Sequence, residues 1–141
     1  MPDPDDSPIH HYPPSGAAAE AARAGGFRLP FSSAVRVGDV LYLSGQIGAG
    51  ADGSLPEGIE AQTRLAMENV GAVLAEAGLG FGDVFHCLVM LADMAEWGAF
   101  NRIYLEYFDP DRLPARSAFA ASGLALGGRV EIECKAYAGR R

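Results

Sequence analysis

The chain has 141 residues, 49% of them apolar, which suits one compact domain with an ordinary buried core. Its formal charge of -7 and sequence pI of about 4.8 disfavour nucleic-acid and anionic-membrane partners, both of which need a basic patch. No apolar run approaches a membrane span, and the acidic start Met1-Pro2-Asp3-Pro4-Asp5-Asp6 is the reverse of a basic signal-peptide head, so a cytoplasmic protein is expected.

Residues 1–26 read as an N-terminal arm, flexible or loosely docked, and 27–141 as a single domain. Within the arm, the alanine-rich stretch from Gly16 to Gly26 is able to form one short helix. His10-His11 suggests no metal site, because adjacent side chains rarely point at one ion and no ligand is spaced to join them. Strands are expected at Ala34-Val35-Arg36-Val37 and Val40-Leu41-Tyr42-Leu43-Ser44, joined by a two-residue turn at Gly38-Asp39. Gly48-Ala49-Gly50-Ala51-Asp52-Gly53 spells G-x-G-x-x-G. Ser54-Leu55-Pro56 separates it from any helix, so it reads as a surface loop rather than a dinucleotide cradle.

Glu57 to Ala77 carries Ile59, Leu65, Ala66, Val70, Val73, Leu74 and Ala77 at helical spacing, with Gly78 as the stop. Val84 to Leu91 is nearly all apolar, as in a central strand covered on both faces. It includes His86, read as structural, and Cys87, read with Cys134 as reduced buried thiols. Asp93 and Glu96 have capping-box spacing and open a second helix from Met94 to about Phe108. Its aromatic stripe of Trp97, Phe100, Tyr104, Tyr107 and Phe108 reads as core. Asn101 is placed to face a cleft or water.

The most informative stretch runs from Leu113 to Glu133. Arg116, in Leu113-Pro114-Ala115-Arg116-Ser117, opens an apolar strand, and its guanidinium fork suits a carboxylate held by two parallel hydrogen bonds. Alternation in the last strand puts Val130, Ile132, Cys134 and Ala136 on one face, and Glu131, Glu133, Lys135 and Tyr137 on the other. A glutamate a few ångströms from the arginine could hold or deprotonate a water, so the pair suggests a site that grips an organic acid and adds water to it. The element order is β-β-α-β-α-β-β, an α/β (α+β sandwich) fold with one mixed sheet and two antiparallel helices on one face. The uncovered face, with apolar neighbours such as Tyr42 and Phe119, suggests self-association.

Four blocks carry a resemblance: Ser44-Gly45-Gln46, Asn101 with Tyr104, Leu113-Pro114-Ala115-Arg116-Ser117, and Val130-Glu131-Ile132-Glu133. Over residues 29–138 the chain resembles the RidA/YjgF family of reactive-intermediate (enamine/imine) deaminases, also called the YjgF/UK-type or L-PSP family. The resemblance implies a chorismate-mutase-like subunit in a homotrimer with a central β-barrel and sites between subunits. It also implies hydrolysis of 2-imino or 2-enamino acids to 2-oxo acids and ammonia, with no cofactor and no metal. Carried over by position, Arg116 clamps the substrate carboxylate, Glu131 orients the attacking water, Asn101 contributes from the cleft, and the Ser44-Gly45 backbone borders the pocket. Phe31 stands where active members carry a tyrosine, so one hydroxyl contact to substrate or water is missing.

Three other readings remain at this stage. One is a non-catalytic trimeric module that binds 2-oxo or other small carboxylic acids. Another is the ribonuclease activity attached by name to part of the family, which the acidic charge disfavours. The last makes Arg116 and Glu131 a structural ion pair across the trimer interface.

Overall fold

The structure is a computed structural model, and it describes residues 7–139. The acidic start of the arm and Arg140-Arg141 lie outside the described residues. Seven strands form one mixed sheet: β1 (Ile9–Tyr12), β2 (Ala34–Val37), β3 (Val40–Leu43), β4 (Gln46–Ile47), β5 (Val84–Leu91), β6 (Ala115–Ala120) and β7 (Val130–Tyr137). Their order is β1-β2-β3-β7-β5-β6, with β4 also on β7. Every pairing is antiparallel except β5 with β6. The helices are α1 (Gly16–Ala24), α2 (Ile59–Glu76) and α3 (Trp97–Tyr104).

The expected alternation in β7 is observed. Val130, Ile132, Cys134 and Ala136 are buried beneath the helices, and Glu131, Glu133 and Lys135 are half-buried on the opposite face. Leu41, Leu43, Cys87, Val89 and Leu91 continue the inner layer, and Met67, Val70, Leu74 and Phe100 close over it. Truncating one of these large, fully buried side chains to alanine would cost about 2–5 kcal/mol. The α2 helix ends in a Schellman turn. Gly78, at φ 72°, takes the left-handed conformation, its N–H donating to the Ala75 carbonyl and that of Leu79 to the Leu74 carbonyl.

The sequence reading differs from the fold in three places. The two long helices run parallel, not antiparallel. Glu60 pairs with Arg102 and Arg64 with Glu106, so both helices advance together. Topology dictates this, because β4 and β5 both pair antiparallel with β7, and β6 runs parallel to β5. Each helix therefore returns from the end of one strand to the start of a parallel one.

Second, much of the segment read as a loosely docked arm is built into the fold. β1 adds to the sheet from Ile9↔Val37 to Tyr12↔Ala34, and α1 buries Ala19 and Ala22 and meets α2. Four alternating-poor residues, Ile9-His10-His11-Tyr12, carry too little pattern to announce a strand. His10 and His11 point to opposite sides of β1, and the His10 ring packs edge-on against Tyr12 at 4.8 Å. Third, Asp93 accepts from the Ala95 N–H as a cap, but Glu96 does not complete a box. Its carboxylate binds the Arg129 guanidinium instead, and the α-helix proper begins only at Trp97 after a tight turn.

The G-x-G-x-x-G stretch is a loop, closed by Asp52 accepting from the Ser54 N–H and hydroxyl. Asn69 on α2 ties its start down by donating to the Ile47 and Ala49 carbonyls, each at 3.0 Å.

Candidate active site

Arg116 lies on β6 opposite Cys87 of β5, so its side chain rises on the helix-covered side of the sheet. There it meets the aromatic face of α3. The guanidinium carbon is 4.8 Å from the Tyr104 ring centre, 5.5 Å from Phe100 and 5.8 Å from Trp97. These are cation–π distances, and they hold the fork without consuming its hydrogen-bond donors. Among the described residues Arg116 makes no ion pair and no side-chain hydrogen bond. It lines a cavity of about 220 Å³ together with Trp97, Asn101, Tyr104, Leu113 and Pro114. The buried Asn101 Oδ1 and Tyr104 hydroxyl have no hydrogen-bond partner among the described residues. Buried polar atoms are rarely left so, and here both flank a permanent cation open to a ligand. A larger cavity of about 670 Å³ around Phe85, Arg112 and Tyr137 holds none of the predicted site residues.

Glu131 occupies the other face. It pairs with Met90 of β5 on one side and Ile47 of β4 on the other. Between Tyr42↔Lys135 and Gln46↔Ile132 the register against β7 slips by one residue, so Ser44-Gly45 forms a bulge beside this carboxylate. A Cβ on Gly45 would stand 2.6 Å from Glu131 Oε2, so the absent side chain is what lets the carboxylate lie across the bulge. Ser44 Oγ donates to the Ser32 carbonyl at 2.6 Å and the Ser44 N–H to the Ser33 carbonyl at 2.9 Å. The loop carrying exposed Phe31 is thereby fastened to the same bulge. Burial, with Glu133 as a like-charged neighbour, pushes the Glu131 carboxyl above the usual glutamate range.

The predicted residues thus fall into two groups. Arg116 and Asn101 share one pocket; Glu131, Gly45, Ser44 and the Phe31 loop gather at the other. The expectation that arginine and glutamate lie a few ångströms apart, on neighbouring strands, does not hold within one chain. β5 stands between β6 and β7, and the two side chains leave opposite faces of the sheet. Among the described residues no guanidinium offsets the rise in the Glu131 pKa, whose causes are burial and Glu133.

Sequence reasoning also placed Trp97 in the core, whereas it is 46% exposed and walls the Arg116 pocket. Phe100, Tyr104 and Phe108 are core as expected. The missed signal was the spacing of Trp97, Asn101 and Tyr104, which puts a polar residue between two aromatics on one helical face.

Taken together, these features define an α+β fold with one helix-covered sheet face and one open face, and with a polar cluster on each. The family model described as Endoribonuclease L-PSP matches residues 23–138, and the chain belongs to that family, the RidA/YjgF proteins. It is 42% identical over 112 residues to the 2-iminobutanoate/2-iminopropanoate deaminase of Mus musculus, covering 78% of this chain and 82% of the relative. The Homo sapiens protein of the same name is 38% identical over 120 residues, covering 84% and 87%. The crystal structure of RidA from the Antarctic bacterium Psychrobacter sp. PAMC 21119 superimposes with a TM-score of 0.74 at 34% identity, covering 77% of this chain and 89% of that one.

Proposed function

We propose that this protein hydrolyses 2-imino acids and their 2-enamino tautomers to 2-oxo acids and ammonia. The observation that carries the reading is the unpaired Arg116 guanidinium, held by aromatic rings in a small pocket beside the unsatisfied Asn101 Oδ1. That arrangement fits a small carboxylate. The deaminase names of the relatives supply the reaction.

The chemistry asks little of the protein. An imine carbon is already electrophilic, so fixing the carboxylate in the Arg116 fork and presenting one water would supply most of the advantage. Glu131 is the group proposed to hold that water. When ionised it accepts the water's proton as oxygen attacks the imine carbon, and it returns a proton to nitrogen as ammonia leaves.

Arg116 and Glu131 lie on opposite faces of one chain, so a complete site requires a second copy. We place it between subunits of a homotrimer, with Arg116 and Asn101 from one chain and Glu131, Ser44, Gly45 and Phe31 from its neighbour. Exposed Tyr42, Phe119 and Tyr137 on the open face support such burial, and the number three rests on the family resemblance. Among the described residues no helix is long and apolar enough to cross a membrane, and the cytoplasm is the proposed compartment.

A second reading, a module that binds 2-oxo acids without turning imines over, is favoured by Phe31, which brings no hydroxyl to the bulge. Ribonuclease chemistry fits less well with a charge of -7.

Mixing separates these readings. Arg116→Ala and Glu131→Gln chains should each be inactive on imines generated in situ by an amino-acid oxidase. Unfolded and refolded together, they should recover about a quarter of wild-type activity, the share of interfaces that random association leaves intact. No recovery from folded mixed trimers would sink the shared-site deaminase.

A further inference from the structure

Cys87 in β5 and Cys134 in β7 face each other directly across an antiparallel pair. Both are buried and free, and their sulfurs are 3.4 Å apart. Directly opposed antiparallel residues have Cα atoms about 4.5–5.5 Å apart, within the span a disulfide bridges. Closing the bond would need roughly 1.4 Å of sulfur movement, within reach of side-chain rotation. The pair also lies on the helix side, below the Arg116 pocket. Tyr104, whose ring carries Arg116, is a near neighbour of Cys87.

We propose that Cys87 and Cys134 are a hydroperoxide-oxidisable pair that closes reversibly into a cross-strand disulfide beneath the Arg116 pocket. Cys87 is the attacking thiol. A hydrogen bond from Cys134 holds it below the usual thiol range, and the Tyr104 hydroxyl and Arg116 guanidinium act in the same direction against burial. The same contact, with burial, pushes Cys134 up. Cys87 is fully buried and does not line that cavity, so hydrogen peroxide, little larger than a water molecule, would reach it from the Arg116 side only as the packing around Tyr104 opens.

The Cys87 thiolate attacks one peroxide oxygen and the O–O bond breaks. With hydrogen peroxide the leaving hydroxide takes the proton given up by Cys87 and departs as water, leaving a sulfenic acid. Cys134 sulfur then attacks the Cys87 sulfur. The S–O bond breaks, the hydroxyl departs as a second water with the Cys134 proton, and the S–S bond forms. Two thiols have lost two electrons and two protons, and the peroxide has taken both. An alkyl hydroperoxide would give an alcohol and one water.

The test uses the whole folded protein. It is exposed to hydrogen peroxide, quenched with catalase, unfolded in guanidinium with iodoacetamide, and analysed by intact mass and non-reducing peptide mapping. The expected result is a fall from two alkylatable thiols to none. The mass should drop by two hydrogens, a Cys87–Cys134 linked peptide should appear, and dithiothreitol should restore both thiols. In Cys134→Ala the reaction should stop at a dimedone-reactive sulfenic acid on Cys87. Two intact thiols under peroxide exposure that oxidises the urea-unfolded chain would overturn the proposal, as would over-oxidation with no linked peptide. If the variant fails to fold, the wild-type map decides alone.

Discussion

Gly45→Ala tests the Glu131 half-site with the smallest possible change. Gly45 is not in the left-handed region, so alanine brings no backbone strain; the added methyl is the whole perturbation. It would meet Glu131 Oε2 at 2.6 Å, Cδ at 2.9 Å and Cγ at 3.0 Å, all belonging to one flexible side chain. Relief to ordinary contact near 3.4 Å requires the carboxylate to retreat by roughly 0.8 Å, which rotation about its own bonds can supply. The stability cost should therefore stay within about 1 kcal/mol. A misplacement approaching 1 Å in a positioned group costs up to about 10²-fold in rate. Imine hydrolysis, followed as 2-oxo acid release in competition with semicarbazide, should fall roughly 10- to 100-fold while the melting temperature moves by only a few degrees. A wild-type rate in a folded Gly45→Ala protein would show that the Glu131 position does not matter to the chemistry. A large loss of stability with a normal rate per folded molecule would show that the bulge is structural.

Arg116→Lys keeps the charge but loses the fork and the stacking on Tyr104, so 2-oxo acid binding measured by calorimetry should weaken by about 1–3 kcal/mol. Glu131→Gln should slow imine hydrolysis about 10²-fold or more while leaving 2-oxo acid binding intact, a separation read by single-turnover rates against equilibrium titration. Because the Glu131 carboxyl titrates above its ordinary value of 4.5, wild-type kcat/KM should fall with acidification already above pH 4.5, and Glu133→Gln should move that limb to lower pH. The sign for stability is the reverse: a raised carboxyl favours the fold below its pKa and costs stability as pH rises through it. Glu131→Gln should therefore raise the melting temperature near pH 7 and lose that advantage towards pH 4. Phe31→Tyr restores a hydroxyl beside the bulge and should raise turnover of small imines such as that of alanine with the melting temperature unchanged.

Much of this was legible because period-2 and period-3.6 patterns report burial directly. Val130-Glu131-Ile132-Glu133 gave its inward and outward faces correctly, and α2 its apolar face and glycine stop. What the patterns could not supply was strand order. Placing β5 between β6 and β7 is a long-range decision, and it alone separates Arg116 from Glu131 and makes α2 and α3 parallel. Neither property is encoded in a window of neighbouring residues. β1 escaped for a different reason: its stability comes from the β2 edge and from Ser33 accepting the Ser15 N–H, not from its own composition. Trp97 was misplaced because an aromatic at helical spacing looks the same in a core as in a pocket wall; which it becomes depends on where β6 begins.

The proposed division of the site across the sheet would also constrain how it is tuned. In one chain Glu131 has burial and Glu133 acting on it, both favouring the neutral carboxylic acid, which cannot act as a base. Arg116 has its charge balanced by aromatic faces alone, which attract a cation without neutralising it. Each half is therefore poised towards what the other would bring. An arginine arriving from a neighbouring copy would oppose the rise in the Glu131 pKa, and a bound carboxylate would partly cancel that arginine and let the rise return. A general base gains most when its pKa lies near the working pH, so the same two charges that locate the substrate would also adjust the group that attacks it.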